Sequence, residues 1–394
     1  MPLLKYLRKS FVSPLLEFIH DSRAVGVFLI ISTLISLLIA NSGAGEAFVT
    51  LLNAELGHTP GLPHSLLHWI NDGLMAIFFF LVGMEIKREL MVGELSSFKK
   101  SMMPIVGAIG GMLVPALLFT LFNEGTEYAK GWGIPMATDI AFSLGVASLL
   151  GSRAPIALKI FLTALAIIDD LGAIIAIAIF YTNELNFYYL LGGISIFFVL
   201  ILWNRLKLPF GIGFFIAGAI MWFCFFNSGI HATIAGVLLA FTIPLKKLEN
   251  LVHELHVPVN FIIIPIFALA NTAIIIPPSF LENLTQNLSI GIAVGLILGK
   301  PIGIVLFCFI AAKLKWGELA NGLNWNSMVG LGLLAGIGFT MSIFISLLAF
   351  DDPKTQDISK MAVLLASVLA MLLAYGWFYL FTKERKGKNI KSAL

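Results

Sequence analysis

Charge is what this chain has least of. Only 12% of its 394 residues are Asp, Glu, Lys or Arg, about half the ~25% of an average soluble protein. With 59% hydrophobic residues and a mean hydropathy of +0.96, that scarcity excludes a soluble globular protein and specifies an integral membrane protein. Cysteine is nearly missing as well. Cys224 and Cys308 each fall inside a separate apolar segment, with neither metal-ligand spacing nor a disulfide pattern, so both are read as lipid- or core-facing. There is no low-complexity tract, long linker or soluble segment, and residues 1–394 read as one membrane domain. The net charge of +3 carries no nucleic-acid message, because the basic residues lie scattered in short loops.

What is there instead is a series of apolar runs. A helical span takes about 20 apolar residues, with a range of roughly 17–25. Twelve segments fit: Ala24–Ser42, Leu66–Glu85, Met102–Phe122, Gly133–Leu150, Pro155–Tyr181, Phe187–Trp203, Gly211–Phe226, Gly229–Leu245, Val259–Ile276, Ser289–Ala312, Met328–Phe350 and Met361–Phe381. The first follows a polar stretch with Lys5, Arg8, Lys9, Glu17, Asp21 and Arg23. It is read as a permanent span rather than a cleaved signal, since similar segments recur along the chain. The seventh and eighth are separated only by Asn227-Ser228. Twelve spans place both termini on one side, with 20 of the 25 basic residues; the other side holds Lys130, Lys354 and Lys360. This asymmetry makes the termini cytoplasmic.

Six ionisable residues remain inside the spans: Asp72, Asp139, Lys159, Asp169, Asp170 and Lys300. Charged and unpaired, they would cost roughly 15–20 kcal/mol on insertion scales. They must pair, face water or carry protons. Lys159 lies near the cytoplasmic end and can snorkel. Asp72, in Trp69-Ile70-Asn71-Asp72-Gly73, either lines a funnel or caps polar neighbours. Asp169 and Asp170 sit side by side in Ala166-Ile167-Ile168-Asp169-Asp170-Leu171-Gly172. Two hard oxygen donors that also titrate are what a site needs to exchange a small cation for protons.

Two spans carry interruptions. In the fourth, Pro135-Met136-Ala137-Thr138-Asp139 removes a backbone donor beside an acid, and the freed backbone groups need partners. The bland alternative is a kink whose acid is a helix N-cap, but such caps usually sit at the water interface. In the eleventh, Gly336-Ile337-Gly338 weakens the helix, or merely allows close packing of small residues. Taken together the interruptions say more. Spans 3–5 and 10–12 are seven apart, an odd number, so they run oppositely through the membrane, and each triplet has its broken member in the middle. That is the pattern of an inverted repeat with a midplane ion site. Asp139 and Lys300 are a candidate pair of charges to compensate the half-helix dipoles. Lys300, in Gly299-Lys300-Pro301, needs an acidic partner, and Asp169 and Asp170 are the logical ones. Such a pair would break when Asp169 takes a proton or a cation; the alternative is a static bridge that only aligns helices.

These segments resemble NhaA-type sodium/proton antiporters. The likeness runs over nearly the whole chain through Ala137-Thr138-Asp139-Ile140-Ala141-Phe142, Leu165-Ala166-Ile167-Ile168-Asp169-Asp170-Leu171-Gly172-Ala173, Gly336-Ile337-Gly338-Phe339-Thr340-Met341-Ser342 and Phe79-Phe80-Leu81-Val82-Gly83-Met84-Glu85-Ile86-Lys87-Arg88-Glu89-Leu90. Inverted repeats are a known feature of that family, so this part of the fold also belongs to the resemblance. It implies a twelve-helix all-α fold in which helices 4 and 11 cross as broken chains. Asp169 and Asp170 are implied as the Na⁺ and H⁺ site, Thr138 and Asp139 as dipole compensators, and Lys300 as the partner of Asp169. The resemblance further implies a homodimer aided by the segment between the first two spans, a bacterial inner-membrane location, and activation at alkaline pH. Its pH response is implied at a cytoplasmic funnel, where Glu85, Lys87, Arg88 and Glu89 match the family's stretch. His253 and His256 match less closely, because Leu251-Val252-His253-Glu254-Leu255-His256 departs from the pattern; a solvated juxtamembrane turn is the alternative.

The expected function is exchange of cytoplasmic Na⁺ (or Li⁺) for external H⁺, without a cofactor. If two protons replace each monovalent cation, the cycle is electrogenic and the membrane potential drives it. A sodium-coupled solute symporter would need an organic-substrate pocket, for which no cluster of Arg, Asn or aromatic residues beside the acids argues. An intramembrane aspartyl protease needs two acids facing each other from different helices; here they are adjacent, and Gly336-Ile337-Gly338 is followed by Phe339 rather than Asp. The chain is not expected to be an enzyme. A passive channel suits a single titratable site less well than exchange does.

Overall fold

A computed structural model describes residues 22–382 apart from 58 and 183. Lys5, Arg8, Lys9 and the basic residues from Lys383 to Lys391, on which much of the orientation argument rests, lie outside the described residues, as do the side chains of Arg23, Lys99 and Lys100. Among the described residues the regular elements are helices, with one isolated bridge between Glu55 and Ser65. The α-helices of eight residues or more, in chain order, are α1 (Ser22–Ala40), α2 (Gly45–Leu52), α3 (Leu66–Met91), α4 (Phe98–Asn123), α5 (Ile140–Leu149), α6 (Ile156–Phe180), α7 (Phe187–Arg205), α8 (Ile212–Phe226), α9 (Thr233–Thr242), α10 (Leu245–Asn271), α11 (Asn287–Lys313), α12 (Trp325–Ala335), α13 (Phe339–Ala349) and α14 (Pro353–Phe381). A 3₁₀ helix, Glu127–Met136, precedes α5.

Seven of the described helices, α3, α4, α6, α7, α10, α11 and α14, are long and apolar enough to cross a membrane, and up to ten spans result if each bent pair is one. The pairs are α1 with α2, bent by 116°, the 3₁₀ helix with α5, bent by 45°, and α12 with α13, bent by 48°. Helices α8 and α9 have only 15 and 10 residues, fewer than the expected seventh and eighth spans. The chain turns at Gly229, where φ is +85°, and becomes extended at Ile243 and Pro244 before α10 begins. Helix α10 begins at Leu245, well before the expected Val259. Its first turns bury Leu248 and Val252 at helical spacing while Lys246, Lys247 and Glu249 stay exposed. An amphipathic extension of this kind has too little total hydropathy to be seen as a span. His253 and His256 therefore lie on a helix, not in a turn.

Three long helices contain π segments: Trp69–Leu74 in α3, Val259–Ile263 in α10 and Gly295–Gly299 in α11. The last two each end two residues before a proline, Pro265 and Pro301. Proline has no N–H to give to the residue one turn back, which loosens the ladder just upstream.

Small residues set the closest helix crossings. A Cβ on Gly110 of α4 would lie 2.2 Å from the Gly303 carbonyl oxygen, and one on Gly303 of α11 would lie 2.1 Å from that of Gly110. Neither helix could approach so closely with alanine there. Helix α6 is the most enclosed of the long helices and α7 the least. The acid-bearing helix is thus largely enclosed by its neighbours, with Asp169 and Asp170 on its buried side and Ile160, Ile175 and Ile179 on its exposed one.

Candidate functional site

The site is built where two broken helices pass each other. Residues 137–139 and 336–338 link the half-helices, with Gly336 N making the last bond of the α12 ladder, to the Gly332 carbonyl at 3.0 Å. Their free backbone groups are satisfied mainly by one another. Asp139 N donates to the Ile337 carbonyl at 2.8 Å. Ser143 Oγ donates to the Leu334 carbonyl at 2.8 Å, and Ser342 Oγ donates to the Ile134 carbonyl at 2.7 Å. The two serines stand one helical turn after Asp139 and Gly338 respectively, so the bonds are reciprocal. Phe339 N donates to Ser367 Oγ of α14 at 3.1 Å.

Asp139 is indeed an N-cap, and it is 2% exposed. Its Oδ1 accepts from Phe142 N at 2.9 Å, at the start of α5. Its Oδ2 accepts from Thr340 N at 3.2 Å and from Thr340 Oγ1, at the start of α13. One carboxylate therefore faces two helix N-termini, where partial positive charge gathers. The capping and the buried-acid readings of the sequence describe the same residue.

Asp169 and Asp170 project from α6 beside this crossing, 1% and 2% exposed. Asp169 Oδ2 accepts from Lys300 Nζ in a buried ion pair. Thr138 Oγ1 accepts from Lys300 Nζ at 2.8 Å, and it stands 2.8 Å from Asp169 Oδ2 and 2.9 Å from the Ala335 carbonyl. Its single proton can serve only one of those acceptors at a time. The lysine thus reaches the C-terminal end of α12 through Thr138, and it does not pair with Asp139. Asp169 Oδ1 and Asp170 Oδ1 are buried without a partner among the described residues. Asp169, Asp139, Glu85 and Lys300 all lie within electrostatic range of Asp170. A buried carboxylate with unfilled lone pairs is either protonated or ready for a cation.

A cavity of about 150 Å³ leads toward the crossing. Glu85, Arg88 and His256 line it, together with Asp139, Thr340, Thr163 and Asn260. Three of the residues expected at a pH-responsive funnel therefore share a space with Asp139 and Thr340 of the crossing, whereas Asp169, Asp170, Thr138 and Lys300 do not line it. The other three do not line it. Lys87 Nζ donates to the Phe241 and Ile243 carbonyls at 2.7 and 2.5 Å, closing the end of α9. Glu89 accepts from Arg88 at 3.3 Å and from Glu94 N at 3.0 Å. His253 is exposed on α10. Lys159 donates to Ser148 Oγ at 3.1 Å rather than reaching only to solvent.

Asp72 lines a different cavity, of about 370 Å³, with His68, Asn71, His231, Gln356 and Phe344. In the wall of this cavity Phe344 packs on Phe79 and Phe267, with ring centroids 5.2 and 6.2 Å apart. The sequence by itself assigns no role to Ser143, Ser342, Thr340 or Ser367. The signal was a hydroxyl one turn beyond each break, legible only once the breaks are known to face each other.

Residues 16–378 match the model of a family described as Na⁺/H⁺ antiporter 1. The chain is 49% identical over 374 residues to the Na(+)/H(+) antiporter NhaA of Cytophaga hutchinsonii, covering 93% of this chain and 95% of that one. It is 51% identical over 383 residues to Na(+)/H(+) antiporter NhaA 2 of Flavobacterium johnsoniae, covering 95% and 93%. It is 49% identical over 382 residues to the Na(+)/H(+) antiporter NhaA of Dechloromonas aromatica, covering 93% and 96%.

Proposed function

The chain belongs to the Na⁺/H⁺ antiporter 1 family, and from that premise we propose that it exchanges cytoplasmic Na⁺ (or Li⁺) for external H⁺ by alternating access at Asp169 and Asp170. The family is one of membrane transporters, not enzymes. The observation that carries the residue assignment is the buried Asp170 carboxyl, whose Oδ1 has no partner among the described residues, beside a Lys300–Asp169 pair at the crossing of two broken helices.

In this reading a cation arrives through the cavity lined by Glu85, Arg88 and Asp139. Its hydration oxygens are replaced by those of Asp170, Asp169 and Thr138. Lys300 holds Asp169 in the absence of the cation, and binding pulls the carboxylate away from the ammonium. Protons and Na⁺ compete for the same oxygens, so occupancy is mutually exclusive and the fluxes are coupled. The two acids titrate as a unit. Two protons per Na⁺ would carry one net charge inward, and the membrane potential would contribute about 2.3 kcal/mol per 100 mV. Asp139 and Thr138 stabilise the crossing throughout the cycle. The layer of Phe79, Phe267 and Phe344 closes the site toward the Asp72 side.

We extend the proposal to architecture. The reciprocal serine bonds and the similar 45° and 48° bends support an inverted repeat of spans 3–5 and 10–12. The short α8 and α9 are counted as the seventh and eighth of twelve spans. Both termini would be cytoplasmic in a bacterial inner membrane, and the segment carrying the Glu55–Ser65 bridge would join a homodimer. Activation at alkaline pH is assigned to Glu85, Arg88 and His256 in the cavity, with Lys87, Glu89 and His253 as flanking contributors. No finding favours a sodium-coupled solute symporter.

The test is collapse of ΔpH in everted membrane vesicles on adding NaCl, LiCl, KCl or choline chloride from about pH 6.5 to 8.5, beside the Asp170→Asn variant. Na⁺- and Li⁺-specific collapse that disappears in the variant is expected. No cation response from well-inserted native protein at any pH would overturn the reading.

A further inference from the structure

The cavity on the Asp72 side holds a pair that the exchange chemistry at Asp169 and Asp170 does not use. His68 Nε2 and Asp72 Oδ2 lie 3.0 Å apart, with side chains 41% and 18% exposed. They flank the first turn of the π segment Trp69–Leu74. A π turn shifts hydrogen bonding by one residue and leaves carbonyls to be satisfied otherwise. The indole of Trp222 does so here, donating to the Asp72 carbonyl at 3.1 Å. Trp222 in turn stacks on Trp69 and on Phe226, with centroids 5.7 and 5.5 Å apart, and Phe226 packs on the His68 ring at 5.5 Å. Backbone and side chain of Asp72 are therefore both held, and the imidazole lies in a fixed position at the rim of the 370 Å³ cavity.

We propose that His68 and Asp72 form a proton port, which collects protons from solution and delivers them into the cavity on that side. The inference rests on the antiport reading, in which this side faces the external medium. The chemistry follows from the geometry. An ionised carboxylate only accepts hydrogen bonds, so Asp72 fixes the proton of neutral His68 on Nε2 and leaves the Nδ1 lone pair for a proton from solution. When Nδ1 gains that proton, Nε2 passes its own to Asp72 Oδ2. One proton enters the pair, one is delivered to the carboxyl, and no electrons move. The carboxyl then releases its proton into the cavity, whose wall includes Phe344, one turn along α13 from Thr340 at the crossing. Imidazole is the side chain suited to this, because it takes and gives protons near neutral pH.

Among the described residues, the other titratable groups placed near the pair are His64, His231 and Glu55, which bridges to Ser65 at the start of the same helix. His64 of the preceding segment lies 6.4 Å away, ring to ring, from His68. His231, on the far wall, sits within the field of Asp72 and is held by the Tyr181 carbonyl at 2.7 Å. Gln356 of α14, which faces the same cavity, is neutral. Neither histidine lies as close to Asp72 as His68 does, which makes His68 the port and His231 a spectator.

The experiment uses full-length protein in proteoliposomes of known orientation, with pH set independently on the two sides and Na⁺ saturating on the cytoplasmic side. His68→Gln keeps a donor for Asp72 but cannot carry a proton through. It is expected to lose turnover several-fold as the external pH is raised, where protons are scarce, while the cytoplasmic Na⁺ KM and the dependence on internal pH match native. Asp72→Asn, the second variant, is expected to show the same one-sided loss. An external pH profile identical to native in both variants would overturn the port, and so would equal losses on both sides. Native protein that shows no Na⁺-dependent proton flux would instead overturn the antiport reading on which the port rests.

Discussion

The two broken spans have nearly the same shape and very different chemistry. Each bends by a similar angle, 45° and 48°, and each contributes a serine that bonds a carbonyl near the partner's break. Yet the first break carries Thr138 and Asp139, and the second carries Gly336, Ile337 and Gly338. One charged break therefore suffices for two. Asp139 caps α5 and α13 together, and Thr138 joins Lys300 to the end of α12. A second acid at Gly338 would bring like charge against Asp139 in a space where little water screens it. The second break uses its residues for closeness instead. A Cβ on Gly336 would meet the Leu296 carbonyl oxygen at 2.4 Å, whereas Ala137, in the corresponding place of the first break, already carries a methyl group.

Removing the shared charge should do the most damage. Asp139→Ala leaves the amides of Phe142 and Thr340 buried and unpaired, at about 1–3 kcal/mol each. Loss of exchange and a clearly lowered thermal midpoint in detergent are expected. Asp139→Asn keeps acceptor capacity for one helix start and should fall between Ala and native. Equal stability of all three would break the claim that one carboxylate serves both helices.

A methyl group should tell the breaks apart next. Gly336→Ala forces α12 away from α11, with an overpacking cost of about 1–3 kcal/mol. Ala137→Gly removes only a methyl and should cost less. Thermal unfolding of the two variants side by side decides it, and a larger loss for Ala137→Gly would reverse the comparison.

The reciprocal serines should then prove equivalent. Ser143→Ala and Ser342→Ala each remove one bond to a carbonyl, a loss of about 1 kcal/mol. Midpoints lowered by similar amounts would sharpen the pseudo-symmetry, and a loss confined to one would weaken it.

The smallest effect belongs to an acid that uses the same cap outside the membrane. Asp352 accepts from Thr355 N at 2.9 Å and from Thr355 Oγ1 at 2.7 Å. These bonds hold its carboxyl below the ordinary aspartate range. A depressed value in the folded state means that the cap stabilises fully at neutral pH and fades as pH falls through that value. The midpoint difference between native and Asp352→Asn should therefore be small at neutral pH and vanish in acid. A difference that grows in acid would contradict the sign.

Local pattern made much of this protein legible. The helical class, most span positions, the paired acids and both interruptions follow from apolar runs and from Pro, Gly and Asp within them. Residues such as Asp139 and Lys300 stand out because burying charge is costly enough to demand a partner. The amphipathic start of α10 escaped, since mean hydropathy does not report the buried face of a helix.

Residue types and their order were enough to require that acids and broken helices lie in the membrane interior and be compensated there, because desolvation cost depends only on the group and its surroundings. Which group compensates which is a matter of how the helices pack. The order of residues left Lys300 free to partner Asp139, Asp169 or Asp170. The crossing of α5, α6, α11 and α13 gave it Asp169 and Thr138, gave Asp139 two helix starts, and left Asp170 Oδ1 unpaired. Hydrogen bonds act over about 3 Å, and Lys300 and Asp169, 131 positions apart, come that close only when the chain has folded.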